Sequence, residues 1–143
     1  MSAAAFPRCR ILVVDDEPFV RDALKMMLAF DGHEVVTAGA GKQALSELDG
    51  GEFDLVITDF AMPGMKGDEL AAIIKGRNPS QPIVMVTAYT ESLLRSGSQS
   101  ANCVDLMISK PFLLEDLREA IAKVVPRKER SPAGSGDPPP QRQ

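Results

Sequence analysis

Asp15, Asp16 and Glu17 follow directly on an aliphatic run, ILVV at residues 11–14, whose composition demands burial. Chemistry-bearing residues recur in the same relation to later apolar runs. Asp59 follows LVIT at residues 55–58, Thr87 follows IVMV at 83–86, and Lys110 comes shortly after VDLMI at 104–108. Carboxylates held within a few ångströms of one another repel, and protonation relieves them only if their pKa values rise strongly. A divalent cation removes the conflict. Magnesium prefers hard oxygens, keeps several waters, and takes one or two carboxylates together with phosphate oxygens. Each residue also has a plain reading of its own: acids favour the positive end of a helix, an aspartate can begin a turn, and a lysine can be solvated. Their joint position after consecutive apolar runs argues against coincidence.

The runs that must position these residues alternate with helical spacing. Five short apolar stretches, at residues 11–14, 35–37, 55–58, 83–86 and 104–108, predict strands, and the nearly continuous β-branched ones suit burial on both faces. Between them, Val20, Leu24, Met27 and Leu28 recur at helical intervals behind Pro18, which fits a first helical turn. Ala44, Leu45 and Leu48 form a second stripe ended by Asp49-Gly50-Gly51. Leu70, Ile73 and Ile74 form a third, closed by Gly76 and Pro79. Leu113, Leu117, Ile121 and Val124 form the last, stopped at Pro126. The fourth helical slot, TESLLRSGSQSAN, has only two strong apolar residues and is rich in serine, which predicts a short helix with fast amide exchange. This alternation implies a doubly wound five-stranded parallel sheet with helices on both faces, and the expected form is the known flavodoxin-like (βα)5 arrangement, whose strand order is 2-1-3-4-5. Ligands of such sheets bind at the carboxyl ends of the strands, beside the reversal of strand order. Here Asp15-Asp16 and Asp59 end the strands flanking that reversal.

Composition sets the limits. A chain of 143 residues, 44% hydrophobic and 25% charged, fits one soluble domain. The expected division is an N-terminal extension at 1–8, a domain at 9–126, and a disordered Pro/Gly-rich tail at 127–143, which holds no aliphatic residue larger than alanine. The net charge of −4 disfavours general nucleic-acid or anionic-membrane binding. No apolar run approaches the ~20 residues of a membrane helix, and MSAAAFPRCR lacks the apolar core of a signal peptide, so a cytoplasmic location is expected. Cys9 and Cys103 lack metal-ligand spacing and read as free thiols. His33, the single histidine, reads as structural or solvated.

VVDDEP, ITDFAMPGMKG, VTAY and SKPF, in that order and spacing, resemble the receiver domains of two-component response regulators over about residues 9–125. The resemblance implies that Asp59 is the phosphoacceptor, taking a phosphoryl group from a phosphohistidine on a sensor histidine kinase or histidine phosphotransfer protein. It implies Mg2+ held by Asp15, Asp16, Asp59 and the backbone carbonyl of Ala61. Thr87 and Lys110 would contact the phosphoryl oxygens, with Lys110 preceding a cis bond to Pro111. Thr87, Tyr89 and Met107 would form the switch. Met107 departs from the aromatic residue usual there, and Ala61 and Tyr89 would tune access of water to the aspartyl phosphate. The implied role is a phosphorylation-dependent signalling switch rather than a turnover enzyme, of single-domain type. It would act on a downstream protein target, with dimerisation through the face from the fourth strand to the last helix and no direct contact with nucleic acid or membrane. Two other readings stand beside it: a receiver module derived from a hybrid sensor histidine kinase, and, remotely, a Mg2+-dependent phosphatase with Asp59 as nucleophile. Phosphatases of that kind often carry a second aspartate two residues on, where this chain has Ala61.

Overall fold

The computed structural model describes residues 8–88 and 103–126. Five strands form one parallel sheet: β1 (Arg10–Val14), β2 (Glu34–Ala38), β3 (Leu55–Thr58), β4 (Ile83–Thr87) and β5 (Leu106–Ser109). The order is β2-β1-β3-β4-β5, the arrangement expected from the sequence, with the reversal between β1 and β3. Their register aligns Val14 with both Ala38 and Thr58, and Thr87 with Ser109, so the strands end along one rim.

Four helices are described: α1 (Pro18–Phe30), α2 (Gly41–Asp49), α3 (Gly67–Arg77) and α4 (Leu114–Val124). The predicted fourth helical segment and Tyr89 lie outside the described residues, as do residues 1–7 and 127–143. Successive strand residues face opposite layers. Ile11 and Val13, Leu55 and Ile57, and Val84 and Val86 pack with Leu24 and Leu28 of α1 and Leu117 and Ile121 of α4. Leu12 and Val14, Val56 and Ile83 pack with Ala44 of α2 and Leu70 and Ile74 of α3. Burial on both faces explains the unbroken aliphatic runs, since each fully buried Leu, Ile or Val stabilises the fold by roughly 1.5–3 kcal/mol.

Local chemistry sets the helix ends. Pro18 opens α1, and Gly32, at φ 92°, closes it by donating its N–H to the carbonyl of Ala29 (2.9 Å). Glu69 accepts the Lys66 N–H (2.9 Å) at the start of α3, and Asp116 accepts the Leu113 N–H (2.7 Å) at the start of α4.

Three expectations shift. β5 begins at Leu106 rather than Val104, because the Asp105 carboxylate takes the Ile83 N–H (2.8 Å) that a ladder carbonyl would otherwise take. Leu113 caps α4 and is 65% exposed rather than part of its buried stripe. Ile73 is 36% exposed, so α3 buries the narrower row of Leu70, Ala71 and Ile74.

Candidate functional site

The carboxyl rim is built from the strand ends and the loops that leave them. Asp15, one residue past β1, donates its N–H to the Ala38 carbonyl (3.1 Å). Its carboxylate turns inward and accepts the Glu17 N–H on Oδ1 (2.9 Å). Asp59, one residue past β3, donates its N–H to the Val14 carbonyl (3.0 Å) and accepts the Phe60 N–H on Oδ1 (2.8 Å). Each acid therefore extends its strand's ladder by one rung before the chain turns away, which holds the carboxylates on a rigid base.

Gly67 lets the Asp59 loop settle. Its N–H donates to the Phe60 carbonyl (2.8 Å), and a side chain on Gly67 would run into the Asp59 carbonyl and Phe60 Cα. Only glycine allows the first turn of α3 to pack this closely beneath the loop.

Asp15, Asp16 and Asp59 converge, each offering a carboxylate oxygen within 4.8 Å of the others. Asp15 is 1% exposed and Asp59 7%, whereas Asp16 is half-buried at the mouth. Lys110 reaches both buried acids, with its Nζ 3.4 Å from Asp15 Oδ2 and 3.5 Å from Asp59 Oδ2. Its N–H donates to the Thr87 carbonyl (3.0 Å), tying the β5 exit to the β4 exit, and the Lys110–Pro111 bond is cis. Thr87 is fully buried at the end of β4. Ala61 lies half-buried in the loop two residues beyond Asp59. Met107 sits half-buried on β5, opposite Met85, in a groove of 410 Å³ shared with Ala120 and Lys123 of α4. That groove is lined from β5, Pro111 and α4, and includes none of the three aspartates.

Three carboxylates share one nearby ammonium, and the electrostatics register the deficit. Burial pushes the Asp59 carboxyl above its ordinary range; Lys110 pulls it back, and the Asp15 charge pushes it up again. A hard divalent cation fits this donor set, which offers anionic oxygens from three residues with one face open at Asp16.

Sequence reasoning overlooked Arg21. From α1 its Nη1 donates to the Asp15 carbonyl at 2.7 Å. A basic residue on a helix gives no sign of the backbone atom it will reach, so nothing in the sequence distinguished Arg21 from the other 15 lysines and arginines.

The comparisons with known proteins agree with this geometry. The family model for the response regulator receiver domain matches residues 11–122. The transcriptional regulatory protein TcrA of Mycobacterium tuberculosis is 35% identical over 108 residues, covering 76% of this chain and 42% of TcrA. The DNA-binding response regulator MtrA of Mycolicibacterium smegmatis is 34% identical, covering 88% of this chain and 54% of MtrA. The chain thus spans about half or less of the length of these curated relatives. Among solved structures, the Thermotoga maritima response regulator TrrA, in complex with Mg2+-BeF, superposes with a TM-score of 0.74 at 38% identity, covering 81% of this chain and 98% of TrrA. Vibrio cholerae CheY4 gives a TM-score of 0.76 at 30% identity, covering 83% of this chain and all of CheY4. Among the described residues no helix is long and apolar enough to cross a membrane. With a matching sheet order, an acid pocket at the reversal and a family match over nearly all of the described residues, the chain belongs to the response regulator receiver domain family of two-component signalling.

Proposed function

We propose that this chain accepts a phosphoryl group from a phosphohistidine onto Asp59, with Mg2+, and that the modified pocket changes which partner it binds. One observation carries the reading: two buried carboxylates and a third at the mouth converge around a single lysine. Asp15, Asp16, Asp59 and the Ala61 carbonyl would hold Mg2+, which when bound offsets repulsion between the carboxylates and an incoming phosphoryl group.

The chain's own residues do the rest. Lys110, poised between Asp15 and Asp59, favours the ionised form of Asp59 against the effect of burial and can follow the charge of a transferred phosphoryl oxygen. Asp59 forms an O–P bond as the N–P bond to the donor imidazole breaks. The imidazole keeps the electron pair and takes a proton from solvent. Such a loose transition state needs positioning and neutralised charge more than covalent assistance. The Phe60 N–H fixes one Asp59 oxygen and so orients the other. Thr87, buried at the adjoining strand end, would donate its hydroxyl to a phosphoryl oxygen, and Met107 would repack the groove beside β5 in response. Population shift at that groove, lined also by Leu106 and Ile108, would carry the signal to a protein partner. The position two residues after Asp59 is Ala61, which has no proton to give, so a phosphatase reading lacks its general acid.

Phosphotransfer from a phosphohistidine donor and beryllofluoride titration with Mg2+ test the proposal together. Wild type should respond in both and Asp59→Ala in neither. A silent wild type, or a response that survives Asp59→Ala, rejects it.

A further inference from the structure

Asp15 and Asp16 are held by different means. Asp15 is fixed through its own atoms: its N–H to Ala38, Oδ1 to the Glu17 N–H and Oδ2 to Lys110. The Asp16 side chain makes no hydrogen bond or ion pair with another described residue, so its position depends on the peptide plane that joins it to Asp15. The carbonyl of that plane accepts the 2.7 Å bond from Arg21 Nη1. A charge-assisted bond of this length is among the stronger and better-directed ones available to a backbone oxygen.

The guanidinium is confined on its other side. A methyl placed on Gly39, in the loop after β2, would lie 3.1 Å from Arg21 Nη1, so the Gly39 backbone packs directly against it. Gly39 is itself held, donating its N–H to Gln43 Oε1 of α2 (2.8 Å). Arg21 is thereby wedged between the loop after β1 and the loop after β2, anchored in α1 by its own backbone bond to Glu17 (3.0 Å). Its planar fork has little freedom to swing away. It also brings a positive charge beneath a pocket that holds three acids and one lysine.

From this we infer that Arg21 is a positioning residue for the metal site, clamping the Asp15–Asp16 peptide so that the Asp16 carboxylate, which no other described residue holds, meets the cation. The inference rests on the reading of the acid pocket as a Mg2+ site. Groups that orient metal ligands typically contribute 10–100-fold in affinity, so Arg21→Gln is expected to bind Mg2+ about tenfold more weakly than wild type. Arg21→Lys keeps the charge but not the planar donor, and falls between them.

The experiment is calorimetric titration of Mg2+ into wild type, Arg21→Gln, Arg21→Lys and Asp16→Asn, each first shown to melt cooperatively without metal. Hydrogen exchange of the Asp15 amide, which donates to the Ala38 carbonyl, supplies a readout in the metal-free proteins that is independent of the cation. Exchange there should speed up in Arg21→Gln and stay at the wild-type rate in Asp16→Asn, which keeps the clamp and leaves the intrinsic rate of that amide unaltered. Wild-type Mg2+ affinity in either folded Arg21 variant overturns the clamp. Should Arg21→Gln fail to fold, Arg21→Lys alone decides by the same criterion. Absence of Mg2+ binding by wild type itself overturns the pocket reading, a result distinct from a failed clamp.

Discussion

The two ends of the sheet use aspartate in opposite ways. At the amino ends of the strands each acid is given donors. Asp54 accepts the Arg10 N–H (2.8 Å), Asp105 accepts the Ile83 N–H and the Lys75 ammonium (3.0 Å), and Asp31, in the turn before β2, pairs through both oxygens with Arg118 (2.7 and 2.8 Å). The Arg118 hydrogen bonds hold the Asp31 carboxyl below its usual range. At the carboxyl ends, Asp15 and Asp59 each accept one loop N–H but share a single lysine between them, and burial holds Asp59 above its usual range. Identical side chains therefore stabilise one end and load the other. Perturbed acids gathered in one cleft are the pattern from which ligand sites are proposed.

Removing the shared cation should exaggerate this contrast most. Lys110→Ala leaves two buried carboxylates without their nearest positive charge, and should lower stability by about 3 kcal/mol in metal-free buffer at neutral pH. Added Mg2+ should restore much of the loss. Urea unfolding with and without Mg2+ measures both; a loss that Mg2+ does not touch would place the lysine's role outside the pocket.

Removing one acid should act in the reverse direction. A carboxyl whose folded pKa stands above its unfolded one favours the fold while protonated, and that contribution vanishes as pH rises through the raised value. Ionised Asp59 is thus a liability at neutral pH, and Asp59→Asn should raise the melting temperature in chelator by about 3–6 °C, as ~1 kcal/mol does in a domain of this size. The gain should shrink in acid, where wild-type Asp59 is protonated too. A melting temperature that falls at neutral pH contradicts the idea of a loaded rim.

The loaded rim was more legible in the sequence than the paired one. Asp15, Asp16, Asp59, Thr87 and Lys110 each stand just past an apolar run, and the parallel sheet aligns such positions along one edge. Chain order, combined with the strand order of a flavodoxin-like sheet, was enough to place them on that edge. Pairs such as Asp31–Arg118 and Arg21 with the Asp15 carbonyl join residues by the reach of a long side chain across α1, β1 and α4, and no periodicity encodes that reach. On α1 the helical spacing picked out the inward row, with Leu24 and Leu28 buried and Val20 and Met27 packed against them, while the equally apolar Phe19, Met26 and Phe30 lie off that row and are strongly exposed. Hydrophobicity says that a residue can be buried, and the width of the contact decides whether it is.

At the amino end, Asp31→Asn should destabilise the protein, by an amount that Mg2+ does not change. A carboxyl held low contributes above its ordinary range and loses that contribution as pH falls through the depressed value. The difference between variant and wild type should therefore be present at neutral pH and close in acid, as the Asp59→Asn difference does, but with the opposite sign: a loss here, a gain there. Melting curves of the two variants over one pH series test this, and parallel trends would dissolve the contrast between the two ends.

The smallest effect belongs to His33, which is buried with its Nδ1 accepting the Cys9 N–H (3.0 Å). Accepting there requires an unprotonated Nδ1, so the proton of the neutral ring is on Nε2. Burial lowers its pKa, although the Asp31 and Asp54 charges pull the other way. As pH drops below the ordinary histidine value of about 6.5, the unfolded chain takes up a proton that the folded one refuses, and stability falls at no more than about 1.4 kcal/mol per pH unit. His33→Gln should cost about 1 kcal/mol at neutral pH through the disturbed Cys9 bond, yet flatten that slope. An unchanged slope in urea midpoints between neutral pH and the carboxylate range would assign the acid sensitivity to Asp31 and its neighbours instead, leaving His33 as packing alone.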